Sequence, residues 1–269
     1  MPTRDLDVDQ VYWSRVYRDI ALMLDLDPEE DRKATNRADE IFMSRGDELP
    51  KLIGDLSARI AGNPVVIFGC GPSLDQHVDE LRSTLLRGTA ALIAADGATS
   101  ALLESGIVPD VIVTDLDGNV PDIISASRRG ALTILHFHGD NQESASRHLP
   151  ALENVIPVTQ NEPTEFVRNF GGFTDGDKCL FLAVAFGAAM AILVGMDFGD
   201  TVGPRSSPGV NTDSPNKIRK LEIGKGLCQE LIRRSGIDVY TLSPRLLEGA
   251  HNISPEDVRK MLDGGHGNA

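Results

Sequence analysis

Two rhythms of apolar positions divide the chain. In residues 1–61, Val11, Trp13, Val16, Tyr17, Ile20 and Leu24 fall on one helical face, and Ile41, Leu49, Leu52, Ile53, Leu56 and Ile60 extend the pattern. This stretch reads as a helical N-terminal region. Asp27-Pro28-Glu29-Glu30 has the form of a helix start, with Asp as cap and Pro at the first helical position. From Asn63 the spacing changes to short continuous apolar runs separated by helical stretches: Val65–Phe68, Ala90–Ala94, Val111–Thr114, Leu132–Phe137, Val155–Val158, Ala191–Val194 and Asp238–Thr241. Such alternation predicts βαβ units, so residues 62–269 are expected to form an α/β domain with a mainly parallel open sheet flanked by helices.

The longest apolar run, Cys179–Met196, is rich in Ala and Gly and is bounded by Asp175, Asp177 and Asp197. It reads as a buried helix running into a strand, not as a membrane span. A glycine, proline and serine segment from Gly199 to Pro215 follows, long enough for a lid or a surface insertion. A helix over Asn216–Arg234, a strand and a short helix after Pro255 close the pattern.

Composition narrows the chemistry. With 26 Lys and Arg against 40 Asp and Glu, the net charge of −14 argues against a nucleic-acid surface. It does not exclude a nucleotide, because a divalent cation reverses the local sign of the field. Cys70, Cys179 and Cys228 form no CxxC pair, which points to a reducing, cytoplasmic setting without structural zinc. The first residues lack the charged and apolar regions of a signal peptide. A homo-oligomer is left open.

The acid is concentrated where a parallel sheet binds ligands, beyond the carboxyl ends of its strands. The second strand leads to Asp96-Gly97, the third through Thr114 to Asp115-Leu116-Asp117-Gly118, the fourth to His138-Gly139-Asp140-Asn141, and the sixth to Gly195-Met196-Asp197. Clustered carboxylates raise one another's pKa unless a cation neutralises them, and Asp115 with Asp117 suits Mg²⁺. The first strand opens into Gly69-Cys70-Gly71-Pro72-Ser73, a turn that presents backbone N–H groups to an anion, with Ser73 and Gln76 at capping-box spacing. Neither the third glycine of a dinucleotide fingerprint nor the Gly-Lys-Ser/Thr of a P-loop is present. Asp175 and Lys178 stand at the start of the apolar helix, where a lysine opposes the helix dipole and so invites a phosphate. His136 and His138 are read as diverging, which disfavours joint chelation and leaves His138 as the ligand or acid/base candidate and His136 as a core histidine.

The segments Ala94–Asn119 and Thr174–Gly199 resemble the nucleotide-binding parts of thiamin pyrophosphokinases, with an Asp-x-Asp pair and a Thr-Asp-x-x-Lys helix in the same order. Gly118 stands where those enzymes usually carry Ser, and Gly195-Met196-Asp197 replaces their Gly-Gly-Arg. With GCGPSLD, VTDLDG, HFHGDN and GGFTDGDK in succession over about residues 62–235, the chain more closely resembles the archaeal 6-hydroxymethyl-7,8-dihydropterin diphosphokinases. That resemblance implies a thiamin pyrophosphokinase-like fold, ATP as cosubstrate, Mg²⁺ and a reduced pterin alcohol as acceptor. It also implies AMP as product and a place in folate or methanopterin synthesis. The implied catalytic groups are Asp115, Asp117, Asp175 and Lys178, with Asp115 and Asp117 on the metal. The remaining strand-end residues from Gly69 to Asp197 named above would bind the nucleotide.

Other classes compete for the same residues. VTDLDGN also resembles the phosphatase nucleophile motif of the haloacid dehalogenases, although Asn119 replaces Thr and the motif falls late in the domain. GCGPS followed by Asp96 suits a methyltransferase, which leaves Asp115 and Asp117 without a purpose. A non-catalytic nucleotide-binding module is the third alternative.

Overall fold

The computed structural model describes residues 6–44, 48–206, 215–245 and 247–263. Three helices come first: α1 (Gln10–Leu24), α2 (Pro28–Met43) and α3 (Leu49–Ile60). The start expected at Asp27 is a true cap, since the Asp27 carboxylate accepts the Glu29 N–H at 2.9 Å. Then follow β1 (Pro64–Phe68), α4 (Leu74–Leu85), β2 (Ala91–Ala95), α5 (Ala98–Glu104), β3 (Val111–Thr114), α6 (Val120–Arg128) and β4 (Leu132–Phe137). After a single turn at Gly139–Asn141 come α7 (Gln142–His148), β5 (Val155–Thr159), α8 (Asp175–Ala185) and β6 (Met190–Val194). The chain ends in α9 (Pro215–Ser235), β7 (Val239–Thr241), β8 (His251–Asn252) and α10 (Pro255–Asp263). Residues 207–214 of the expected lid or insertion lie outside the described residues.

The eight strands form one sheet in the order β5-β4-β3-β2-β1-β6-β7-β8, and every pairing is parallel. Helices cover both faces, so the central strands are buried on each side and carry continuous apolar runs instead of an alternating pattern. Strand pleating still separates two cores. Val65, Ile67, Ile93, Val111 and Val113 pack with α3 and α8, whereas Val66, Phe68, Leu92 and Ala94 pack with α4, α5 and α10. Each such Val, Ile or Leu contributes about 1.5–3 kcal/mol on burial.

The N-terminal helices share these cores. Leu52, Ile53, Leu56 and Ile60 of α3 join the larger one, Ala38 and Phe42 of α2 pack over β4, and Trp13, Tyr17 and Ile20 of α1 meet Phe173 and Phe181 beside α8. A polar knot fixes the turn between α1 and α2. The buried Asp31 carboxylate accepts from the Tyr17 hydroxyl at 2.5 Å, the Gln160 amide at 2.5 Å and the Gly139 N–H at 2.7 Å. These bonds tie the helical hairpin to the ends of β4 and β5. No helix among the described residues is long and apolar enough to cross a membrane.

Consecutive strands step outward from β1 in one direction through β5, and β6 to β8 continue on the other side. The carboxyl ends of β1 and β6 therefore flank a topological switch point, where open parallel sheets bind ligands.

Candidate active site

A cavity of about 650 Å³ opens at that switch point. Of the residues expected from the sequence, Gly69, Gly71, Asp96, Asp115, Asp117, His138, Asp140, Asp175 and Asp197 line it. Pro72, Ser73, Gly97, Thr114, Asn141 and Lys178 do not.

Three carboxylates form its centre: one oxygen from each of Asp96, Asp115 and Asp117 lies within 4.8 Å of the others. The backbone folds tightly to bring them there, with Asp96 at φ 36° and Leu116 at φ 66°, both in the left-handed region that side chains usually avoid. Thr114 acts as the strut of this turn. Its buried hydroxyl donates to Asp96 Oδ1 and accepts the Leu116 N–H at 2.9 Å. Gly118 now has a physical reason: a Cβ there would stand 2.0 Å from Asp96 Oδ2.

The three carboxyls are not electrostatically alike. Burial, followed by the nearby charges of Asp115 and Asp117, pushes Asp96 well above the ordinary carboxylate range. Burial also acts on Asp115, but the hydrogen bond and field of His138, with help from Lys220, outweigh it and hold this group low. His138 Nε2 lies 3.3 Å from Asp115 Oδ2, while Nδ1 accepts the Asp140 N–H at 3.3 Å. With Nδ1 an acceptor, Nε2 carries the proton donated to Asp115. Asn141 braces this arrangement from behind. Its amide donates to the carbonyls of Asp115 (2.9 Å) and His136 (2.6 Å).

Oδ2 of Asp96 is buried with no donor among the described residues. A buried lone pair of this kind, beside two further carboxylates, suits a hard cation with oxygen ligands.

Asp175, at the first position of α8, faces the same centre. Burial, then Asp115, Asp96 and Asp117, push it well above the usual range. Its neighbours in the motif turn away. Asp177 is fully buried and accepts the N–H groups of Phe173 (2.6 Å) and Thr174 (2.7 Å), closing a capping box with the Thr174 hydroxyl. Lys178 points into the protein, where its ammonium donates to the Gly172 carbonyl at 2.5 Å, and burial lowers it to about 8 despite Asp177 and Asp175. The phosphate-facing lysine expected at 178 therefore stands outside the cavity. Lys178 lies only three positions beyond Asp175, but its side chain borders Val113, Ile134 and Val158 on the inner side of the helix.

The glycine turn also differs from the sequence reading. Ser73 makes no capping box with Gln76; instead its N–H (2.9 Å) and hydroxyl (2.7 Å) both bond the Asp197 carboxylate. Asp197 thus occupies the N-terminus of α4 from across the switch point. Gly69 and Gly71 permit this closeness, because a Cβ on either would stand 2.9 or 2.5 Å from the Gly195 carbonyl. Pro72 sits exposed on the outer side of the turn. Gly97 is covered by the loop from Gly199 to Ser206, whose Arg205 carbonyl would be 1.9 Å from a Cβ there.

His136 and His138 do not diverge. Residues two apart on a strand share a face, and the rings lie 5.0 Å apart at the end of β4. His136 lines the cavity as well, with burial holding it well below its ordinary pKa and Nε2 lacking a partner.

Several lining groups escaped the sequence reading. The α1–α2 turn contributes Leu24 and Asp27, β5 leads to Gln160, and the start of α9 presents Asn216, Lys217 and Lys220. The lysines carried a signal, since they stand in the first turns of a helix where a cation is disfavoured. The α1–α2 turn carried none, because only the tertiary fold brings it over the sheet.

The MptE-like 6-hydroxymethylpterin diphosphokinase family model matches residues 41–203, which contain the carboxylate cluster and the α8 start. A protein of Methanothermobacter thermautotrophicus named 6-hydroxymethyl-7,8-dihydropterin pyrophosphokinase is 44% identical over 67% of this chain and 78% of its own length. Proteins of the same name from Pyrococcus furiosus (40%, 81% and 92%) and Methanocaldococcus jannaschii (37%, 84% and 95%) are similar over still more of their lengths. Among solved structures, the MAf glycosyltransferase from Magnetospirillum magneticum AMB-1 superposes with a TM-score of 0.51 at 19% identity, over 78% of this chain. The chain spans 38% of that protein, and at this identity the likeness concerns the fold alone. The family match and the three relatives agree, and the chain belongs to the MptE-like 6-hydroxymethylpterin diphosphokinase family.

Proposed function

We propose that the protein transfers diphosphate from ATP to the hydroxymethyl group of 6-hydroxymethyl-7,8-dihydropterin and releases AMP. The observation that carries this reading is the convergence of Asp96, Asp115 and Asp117 on one point of a switch-point cavity. The names of the three relatives support the same substrate. The motif resemblance to thiamin pyrophosphokinases extends the reading to the fold, and a cytoplasmic setting suits the free thiols.

Asp115 and Asp117, with Asp96 beside them, would hold Mg²⁺, which supplies charge neutralisation to the polyphosphate. The protein's own groups supply position and proton movement. His138, fixed by the Asp140 N–H, keeps Asp115 anionic and oriented. Asp175 accepts the acceptor's hydroxyl proton; desolvation first, and then the neighbouring aspartates, raise its pKa and make it a stronger base. The hydroxymethyl oxygen then attacks the β-phosphorus as the bond to the α-phosphate breaks. Little covalent chemistry is asked of the side chains, since alignment and electrostatics dominate phosphoryl transfer.

The leaving group tests the reaction. Incubation with ATP, Mg²⁺ and the pterin alcohol should yield AMP and a pterin carrying two phosphates by mass spectrometry. Release of ADP, or no pterin diphosphate, rejects the assignment. Asp115→Asn should lower turnover by about a hundredfold or more with an unchanged melting profile. Full turnover in that variant would reject the metal site.

A further inference from the structure

The carboxylate cluster accounts for one wall of the cavity, and the opposite charge enters from a helix outside the family-matched segment. Asn216, Lys217 and Lys220 lie in the first two turns of α9 and line the cavity together with Asp96, Asp115 and Asp175. Lys217 and Lys220 are three apart, so they share a helix face. The Lys217 ammonium is buried and has no hydrogen-bond partner among the described residues. A desolvated ammonium without a partner costs free energy in the ligand-free protein. Lys220 is exposed, yet its charge reaches both Asp115 and His136. Lys217, in the first turn, sits at the helix end where the peptide dipole opposes a cation and favours an anion. Lys178 of α8 is instead bonded to the Gly172 carbonyl.

We propose that Lys217 and Lys220 form the cationic half of a polyphosphate site, binding the terminal two phosphates of a nucleoside triphosphate opposite the aspartate cluster. The identity of the triphosphate as ATP rests on the proposed function; the diphosphate-binding role does not. Charge balance supports the arrangement, because a metal ion held by the aspartates would neutralise only part of a polyphosphate's charge. Ammonium groups complete the neutralisation, and the ligand supplies the partner that Lys217 lacks among the described residues. Because these lysines would stay with the two phosphates that are transferred, they would also hold that group in place while AMP departs.

Calorimetric titration with Mg²⁺ and either inorganic pyrophosphate or α,β-methylene-ATP separates the possibilities. Lys217→Met should weaken both ligands by about tenfold or more, the scale of one lost charge-assisted hydrogen bond. Its melting temperature without ligand should stay near that of the parent, since Nζ has no hydrogen-bond partner among the described residues to lose. Lys220→Met, at an exposed position where folding is not in question, should weaken both ligands in the same direction. Parental affinity for pyrophosphate in both variants overturns the proposal, as does a parent protein that binds neither ligand. A parent that binds pyrophosphate in a Lys217-dependent way but ignores α,β-methylene-ATP would sustain the lysine site and reject ATP as the donor.

Discussion

Single side chains in this protein show how burial converts one residue type into different chemical groups. Asp115 and Asp175 are half-buried and Asp177 is fully buried, yet the first is held low by His138, the second is pushed high by desolvation and like charges, and the third serves as a helix cap. Lys178 belongs to the same lesson. Its folded-state pKa of about 8 lies below the free value, so its proton is bound less tightly in the native state. A depressed lysine contributes stability above its unfolded pKa and loses it as pH falls through the folded one. Stability should therefore rise, through this group, between about pH 8 and about pH 10. Buried Cys179 and Cys228, both pushed up by burial, act in the opposite sense, so the lysine must be isolated by difference. Denaturant unfolding of the parent and of Lys178→Met across that interval should show the stability difference moving in favour of the parent. A difference that is flat with pH would mean that Lys178 stays protonated throughout.

At the scale of elements, the site depends on two turns that meet at the switch point. The Gly69–Ser73 turn after β1 and the Gly195–Asp197 turn after β6 touch through backbone, and Asp197 bonds the first residue before α4. A side chain at 71 would meet the Asp197 carboxylate at 2.4 Å and a main-chain carbonyl at 2.5 Å. The carboxylate yields only by giving up its bonds to Ser73, and the carbonyl only by moving the turn at the end of β6. Gly71→Ala should thus cost about 1–3 kcal/mol of unfolding free energy, as overpacking does, whatever it does to ligand binding. A parent-like denaturation midpoint would show slack between the turns. The loop following Asp197 packs over the same place, with Arg205 paired to Asp75 (2.7 Å) and Glu104 (2.6 Å) on the far side of the glycine turn.

The whole molecule binds its N-terminal helices into the site instead of carrying them as an appendage. Trp13 is 1% exposed, donates its indole N–H to the Gln160 carbonyl at 2.8 Å and meets the Phe181 ring edge-on at 5.8 Å. Through these contacts α1 holds the α1–α2 turn over the cavity, where Asp31 locks it to Gln160 and Gly139. Truncation of so large a buried ring costs about 3–5 kcal/mol, and Trp13→Ala should lower the thermal midpoint accordingly. Because Phe181 lies on α8, the helix that Asp175 opens, the same variant should also weaken acceptor binding in the surviving native fraction. An unchanged midpoint would mean that α1 contributes little to the folded state.

The sequence alone determined the sheet and the acidic strand ends. Strands buried on both faces must be short apolar runs, so their positions could be read to within a residue, as at Val111–Thr114 and Leu132–Phe137. The two-residue strand His251–Asn252 escaped because both residues are exposed and leave no apolar trace. The aspartates at the ends of β2, β3, β4 and β6 were legible for a similar reason, since strand direction in a parallel sheet delivers all of them to one edge. Tertiary structure decided what each polar group faces. Whether Lys178 or Lys217 looks into the cavity depends on which side of α8 and α9 the packing claims, and Ser73 meets Asp197 across 124 positions. Local pattern constrains a residue's neighbours along the chain, whereas hydrogen-bond partners and desolvation are set by elements that only the fold brings together.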